Sequence, residues 1–249
     1  AGRLTLDTPL EVSAHAAARP PSKLGLPKGS TIRVEDAIKA LVTKSANDVA
    51  VVVAENSEGS ESAFAKRMTR TARRLGMRST TFRNASGLPD DRQVTTARDM
   101  ARLGIAVQRD HPHFYGYFAL RSFTYKGRSY RNHNRLLGRV RGVDGIKTGF
   151  IRASGFNLLS SVRRNDRHVV AVVMGGRTGR TRNAHMTELI TEHLPKAATG
   201  AGPAPVFLAN RPVEIPRPKP YGRVLAAVIE RSMVDEDQLG GPDPDAIIE

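Results

Sequence analysis

Three features of this sequence predict an α/β fold, a helical cluster packed on an antiparallel sheet. Helical periodicity recurs in separate stretches from Glu35 to Leu194, and an apolar hairpin pattern spans 154–175. Hydrophobic residues make up 39% of the 249-residue chain, enough for one packed domain with an appendage. No run approaches the roughly 18 consecutive apolar residues that a membrane-spanning helix needs.

Along the chain, residues 1 to about 34 read as irregular, with short extended pieces. Pro27-Lys28-Gly29-Ser30 is a turn and Thr31-Ile32-Arg33-Val34 a short strand. Glu35 opens a helix with Ile38, Leu41 and Val42 on one face. Val49, Val52 and Val53 mark a second helical piece, and Ser45-Ala46-Asn47 falls between the two. Residues 61–76 form a basic amphipathic helix stopped by Gly76. Phe64, Met68, Ala72 and Leu75 lie on one face, and Lys66, Arg67, Arg70, Arg73 and Arg74 on the other. Residues 79–95 are a polar loop, in which Asn84 and Gly87 read as turn formers. Thr95 or Thr96 caps a helix running to about Arg109, with Asp99 in its first turn. A loop-rich stretch with Phe123, Tyr125 and Tyr130 follows.

The hairpin pairs Phe156–Val162 with His168–Met174 around an Arg164-Asn165-Asp166 turn. Met186, Leu189, Ile190 and Leu194 mark a last helix that ends at Pro195. Eight of the 15 prolines lie beyond residue 200. Residues 1–196 therefore read as the folded domain and 197–249 as a proline-rich, largely disordered tail, with a short helix at Val224–Met233.

Cysteine is absent, which excludes disulfides, thiolate metal sites and a cysteine nucleophile. His111 and His113 have no carboxylate or further histidine at useful spacing, so no metal site is expected. The formal charge is +15, unevenly placed: residues 201–249 carry 5 basic and 8 acidic side chains, against 34 and 16 in the first 200. Such a surface is either simply solvated or attractive to anionic polymers, of which bacterial cell wall is one. Nucleic acid is not the expected partner, because aromatics are only 5% of the chain and supply no stacking set.

Two short motifs carry chemistry. Ser45-Ala46-Asn47 and, about 100 residues on, Lys147-Thr148-Gly149 are two of the three motifs of penicillin-binding enzymes and class A β-lactamases. Their surroundings sharpen the resemblance. Ser45-Ala46-Asn47-Asp48-Val49-Ala50 and Val143-Asp144-Gly145-Ile146-Lys147-Thr148-Gly149-Phe150 resemble segments of the low-molecular-weight D-alanyl-D-alanine carboxypeptidases. So do Ala153-Ser154-Gly155-Phe156-Asn157-Leu158, Asn84-Ala85-Ser86-Gly87-Leu88, Thr95-Thr96-Ala97-Arg98-Asp99-Met100 and Tyr130-Arg131-Asn132-His133-Asn134-Arg135-Leu136-Leu137. The similarity runs in order over about residues 1–195.

The resemblance implies a β-lactamase/transpeptidase-like fold with its site where helices meet sheet. It implies a periplasmic serine peptidase that removes the terminal D-Ala of peptidoglycan pentapeptide stems through an acyl-enzyme. It implies binding of β-lactams and no metal or organic cofactor; membrane association is left open. Lys147 supplies a cation for the substrate carboxylate and Thr148 a hydroxyl donor. Gly149 on a strand edge lets a substrate backbone pair. Ser45 relays a proton and Asn47 orients the substrate amide. The resemblance further implies that the backbone N–H of Phe150 is half of the oxyanion hole, and a basic residue on the last helix, Arg182, is expected to help hold the carboxylate. Asn132 and Asn134 are expected to structure their loop.

One departure stands out. No serine in the sequence has lysine three places on, so the Ser-x-x-Lys motif with the nucleophile is absent. In the family it precedes the segment matching Gly2–Asp7, on a helix that comes with the outer sheet strands. The chain, which opens on Ala1 with no visible signal peptide, reads as N-terminally truncated and is expected neither to hydrolyse D-Ala-D-Ala nor to be acylated by penicillin. The alternatives are a non-catalytic wall-peptide binder and a class A β-lactamase-like hydrolase, for which no deacylating glutamate precedes the third motif.

Overall fold

The computed structural model describes residues 4–200. The expected short helix at Val224–Met233, and the tail beyond residue 200, lie outside the described residues.

The first half of the molecule is built around helices. Strand β1 (Pro9–Glu11) pairs antiparallel with β2 (Thr31–Arg33), and between them Ser13 caps a single helical turn, α1 (Ala14–Ala17). Helix α2 (Val34–Thr43) has Glu35 and Asp36 in its first turn, where carboxylates favour the N-terminal end of the helix dipole. Helix α3 (Asn47–Glu58) is rich in valine, a residue of modest helix propensity. It is stabilised by burial: Val49, Val51 and Val52 are fully buried and pack with Leu10, Leu26, Ile32, Ala37 and Ala40. Gly59, at φ +77, ends it.

Helix α4 (Glu61–Arg74) starts at Ser60, whose hydroxyl accepts from Ala63 N–H at 3.2 Å, and its basic face is exposed as expected. Thr96, not Thr95, caps helix α5 (Ala97–Asp110), accepting from Asp99 N–H at 3.2 Å; the Thr95 hydroxyl instead pairs with Thr80 at 2.9 Å.

The stretch expected to be loop-rich is more ordered than its sequence suggests. It holds helix α6 (Pro112–Tyr115), a 3-10 turn at Gly116–Ala119, and a hairpin of β3 (Ser122–Tyr125) and β4 (Arg128–Arg131). Lys126 and Gly127, both at positive φ, make a two-residue turn whose twist suits the strands. Phe123 and Tyr130 face each other in register and close the helical core.

The second half is an antiparallel sheet of β5 (Val143–Ile151), β6 (Gly155–Arg164) and β7 (Arg167–Gly176), with β6 in the centre. Asn165 and Asp166, also at positive φ, form the β6–β7 turn. Helix α7 (Gly179–His193) opens with a capping box between Thr178 and Thr181 and packs Met186 and Ile190 against Leu158, Val162 and Val173. Leu159 points to the opposite face, where α5 lies. A Cβ on Gly104 of α5 would sit only 3.1–3.2 Å from methyls of Ile146 and Leu159, so glycine lets that helix close on the sheet. The α/β architecture thus divides into a helical core and a sheet core, and Ser45 and Lys147 sit on the seam between them.

Candidate active site

Ser45 lies in the sharp turn between α2 and α3, at φ +58. The other non-glycine residues at positive φ among the described residues are in the two hairpin turns, where such geometry is routine. A serine held there costs on the order of 1–3 kcal/mol, which its surroundings must offset. They do so through the loop 20–26. Asn47 N–H donates to Ser22 O at 2.7 Å, the Ser22 hydroxyl to Lys44 O at 2.8 Å, and the Asn47 amide to Pro20 O at 3.1 Å. Asp48, fully buried, accepts from the N–H groups of Leu24, Gly25 and Leu26 at 2.8–3.2 Å. One carboxylate therefore gathers three backbone donors and fastens that loop beneath the Ser45 turn.

From the sheet side, Lys147 reaches across. Its Nζ donates to Ser45 Oγ at 2.7 Å, joining residues 102 apart in sequence, and to Thr148 O at 3.0 Å. The start of β5 is held in place by Gly145 O, which accepts from Asn134 Nδ2 at 3.2 Å and Ser160 Oγ at 3.1 Å. Burial, and secondly the charge of Arg182, push the Lys147 ammonium down to about 8. A lysine in that state is still mostly charged at neutral pH, yet unusually ready to give up a proton.

The remaining expected residues lie around this pair. Thr148, Gly149 and Phe150 continue along β5, and Gly149 is opposite Asn157 in register. Glycine is not demanded there by the fold, since an added Cβ would meet only Asn157 Cβ at 3.9 Å. Phe150 is 48% exposed and its ring lies 4.4 Å from that of Phe156. Arg182, in the first turns of α7, is buried; it donates to Asn157 O at 3.3 Å and to Asn183 Oδ1 at 3.0 Å. It thus stands behind the strand edge, close enough to Lys147 to act on its proton affinity.

Two residues near the site were not singled out from sequence as part of it. Lys44 is depressed by burial and then by Arg128. His133 is pushed down to about 4 by burial and by Lys147, Lys44, Arg135 and Arg182, so it is neutral at neutral pH. His133 lies in the Tyr130–Leu137 segment that carries the resemblance, but nothing in the sequence gives it a role at the site; the folded seam brings it near Lys147. Asn132 and Asn134 are buried and brace their own loop, as their type suggests: Asn132 Oδ1 accepts from Asn134 N–H at 2.8 Å. In the 79–95 loop, Asn84 accepts from Gly87 N–H and donates to Leu88 O, both at 2.8 Å, which makes it a turn former.

Comparison with known proteins places this geometry. A family model described as D-alanyl-D-alanine carboxypeptidase matches residues 1–178. The D-alanyl-D-alanine carboxypeptidase DacA of Escherichia coli is 36% identical over 171 residues, covering 68% of this chain and 42% of that protein. Among solved structures, penicillin binding protein 5 from Haemophilus influenzae matches with a TM-score of 0.73 and 29% identity, covering 76% of this chain and 57% of that one. Penicillin-binding protein D2 from Listeria monocytogenes, in its ampicillin-bound form, matches with a TM-score of 0.64 and 30% identity, covering 76% and 77%. The chain spans about half the length of the curated relatives it matches. With a family model over most of its length and relatives above 30% identity, the chain belongs to the D-alanyl-D-alanine carboxypeptidase family.

Proposed function

We propose that the Ser45–Lys147 seam reads the free carboxylate of a peptide ending in D-Ala-D-Ala. In a longer protein that also supplies a Ser-x-x-Lys nucleophile, it would serve the removal of that terminal residue through an acyl-enzyme, in the periplasm, on peptidoglycan stems. The observation that carries this reading is the 2.7 Å contact of Lys147 with Ser45 across the two cores. An ammonium in a partly buried seam is a strong partner for a carboxylate, and in this reading the Thr148 hydroxyl and the Gly149 strand edge bond the peptide backbone. Ser45, hydrogen-bonded to a lysine depressed to about 8, is suited to pass a proton toward a leaving amine. The Asn47 side-chain amide donates to Pro20 O, and among the described residues its carboxamide oxygen has no hydrogen-bond partner, which leaves it to orient a substrate amide. The ampicillin carried by the Listeria relative also bears a carboxylate, consistent with β-lactams as ligands of this seam. Residues 1–196 are the unit to which we assign this role.

The test is calorimetric titration of the 249-residue chain with an acetylated peptide ending in D-Ala-D-Ala and with its C-terminal amide. Binding of the acid at least tenfold tighter than the amide, with the preference lost in Lys147→Ala, supports the reading. Equal affinity for acid and amide, or a preference that survives Lys147→Ala, overturns it.

A further inference from the structure

At the opposite end of the sheet from Lys147 lies a second cationic feature. The turn before β5, the β6–β7 turn and the end of α7 enclose a shallow cleft of about 330 Å³, lined by Arg141, Arg164, Asn165, Arg167, Leu194 and Pro195. Arg164 is five residues along β6 from Leu159, the register partner of Lys147. At about 3.3 Å per residue the two features are roughly 17 Å apart.

The cleft's walls are held. Arg163 N–H donates to Gly142 O at 2.9 Å, and a Cβ on Gly142 would come within 2.3 Å of Arg163 O, so the turn bearing Arg141 is clasped to β6. Arg167 donates to the Ala197 carbonyl, and Gly200 N–H to Asp166 O at 3.0 Å, which fixes the chain after α7 against the hairpin. Leu194 is buried and forms an apolar floor.

Among the described residues, none of the three cleft arginines forms an ion pair, although Asp166 lies in the same turn as Arg164 and Arg167. The Asp144 carboxylate is taken by Arg163 at 3.4 Å and by the Tyr115 hydroxyl at 3.1 Å. Glu192 pairs with Lys196 at 3.1 Å. Among the described residues, the guanidinium groups of Arg141 and Arg164 make no ion pair or hydrogen bond.

We propose that this cleft binds a phosphate group. Planar guanidinium forks match a tetrahedral oxyanion two N–H groups at a time, which lysine cannot do, and all three cationic residues lining the cleft are arginine. The inference is independent of the reading of the Lys147 seam. The phosphate belongs either to a small soluble ligand or to an anionic lipid headgroup.

The experiment is a ¹H–¹⁵N titration of the full chain with inorganic phosphate at constant ionic strength, chloride being the balancing anion. Shifts confined to residues 141–142, 164–167 and 194–197 are expected. Arg141→Lys with Arg164→Lys keeps the charge and removes the forks; it should weaken phosphate binding at least fivefold, while Arg70→Gln with Arg74→Gln on α4 leaves it unchanged. Sedimentation with phosphatidylglycerol vesicles, against phosphatidylcholine vesicles, then distinguishes the sources. Loss of vesicle binding in the double lysine variant assigns a lipid headgroup, and no vesicle binding with retained phosphate binding assigns a soluble ligand. Shifts spread over every basic face, or equal weakening in the α4 control, overturn the proposal.

Discussion

The two ends of the sheet carry positive charge in opposite ways. At one end a single lysine is withdrawn into a seam, hydrogen-bonded to Ser45, and held near a pKa of 8 by burial and by Arg182. At the other, Arg141, Arg164 and Arg167 line an open cleft. A partly buried ammonium interacts strongly and at short range, and salt screens it little; exposed guanidinium groups act more weakly and are screened within about 10 Å at 0.1 M salt. Charge count alone therefore says little about where chemistry happens. Desolvation and fixed geometry, not charge count, distinguish Lys147 from the cleft arginines.

The largest expected effect comes from removing the withdrawn cation. Lys147→Ala should weaken binding of a carboxylate-ended peptide by roughly 10- to 100-fold, the usual worth of a charge-assisted hydrogen bond. Double substitution of the cleft arginines should leave that affinity within about twofold.

Next is the loop under Ser45. Asp48→Ala strips four N–H groups, those of Leu24, Gly25, Leu26 and Val49, of their shared acceptor and should cost on the order of 2–4 kcal/mol in chemical denaturation, with peptide affinity falling as the Ser45 turn loosens.

Two glycines then separate fold from function. Gly142, at φ +84 and against Arg163 O, should lose on the order of 1–3 kcal/mol on change to alanine. Gly149→Ala should leave thermal stability unchanged, because its Cβ meets nothing closer than 3.9 Å, yet weaken peptide binding by crowding the strand edge.

The smallest effect is the response to pH. Lys147 is charged below about 8 in the free protein, and a bound carboxylate raises that value. Peptide affinity should be flat from pH 6 to 7.5 and fall as pH rises past about 8. Phosphate affinity at the arginine cleft should not fall there, since guanidinium stays charged.

Much of this was legible in the sequence because the relevant patterns are long or local. The 3.6-residue period of 61–74 extends over fourteen residues, and the apolar residues clustered in β6 and β7 lie in two ten-residue strands, so both signals are long enough to read locally. Lys147-Thr148-Gly149 and Ser45-Ala46-Asn47 are contiguous, so their type and order are visible without a fold. The β3–β4 hairpin was not visible, since four-residue strands are too short for a period, although Lys126-Gly127 between Tyr125 and Arg128 is a turn signal in hindsight. Asp48 appears in the sequence only as part of the Ser45–Ala50 segment. Its grip on Leu24, Gly25 and Leu26 exists only because loop 20–26 folds over it. His133 and the three cleft arginines share this character: each belongs to a cluster assembled from several elements, and although His133 sits in a family-like segment and Arg164 in the hairpin turn, sequence does not show which residues they join.

The central claim is that the seam between the two cores withdraws Lys147 and presents it to a carboxylate. The most direct test is an NMR pH titration of ¹³Cε-labelled lysine, with Lys147 assigned by its absence in Lys147→Arg. The account predicts a midpoint near 8 in the free chain that moves up when the D-Ala-D-Ala-ended peptide is added and does not move with its amide. A midpoint near the ordinary lysine value of about 10.4, unchanged by the peptide, would contradict it.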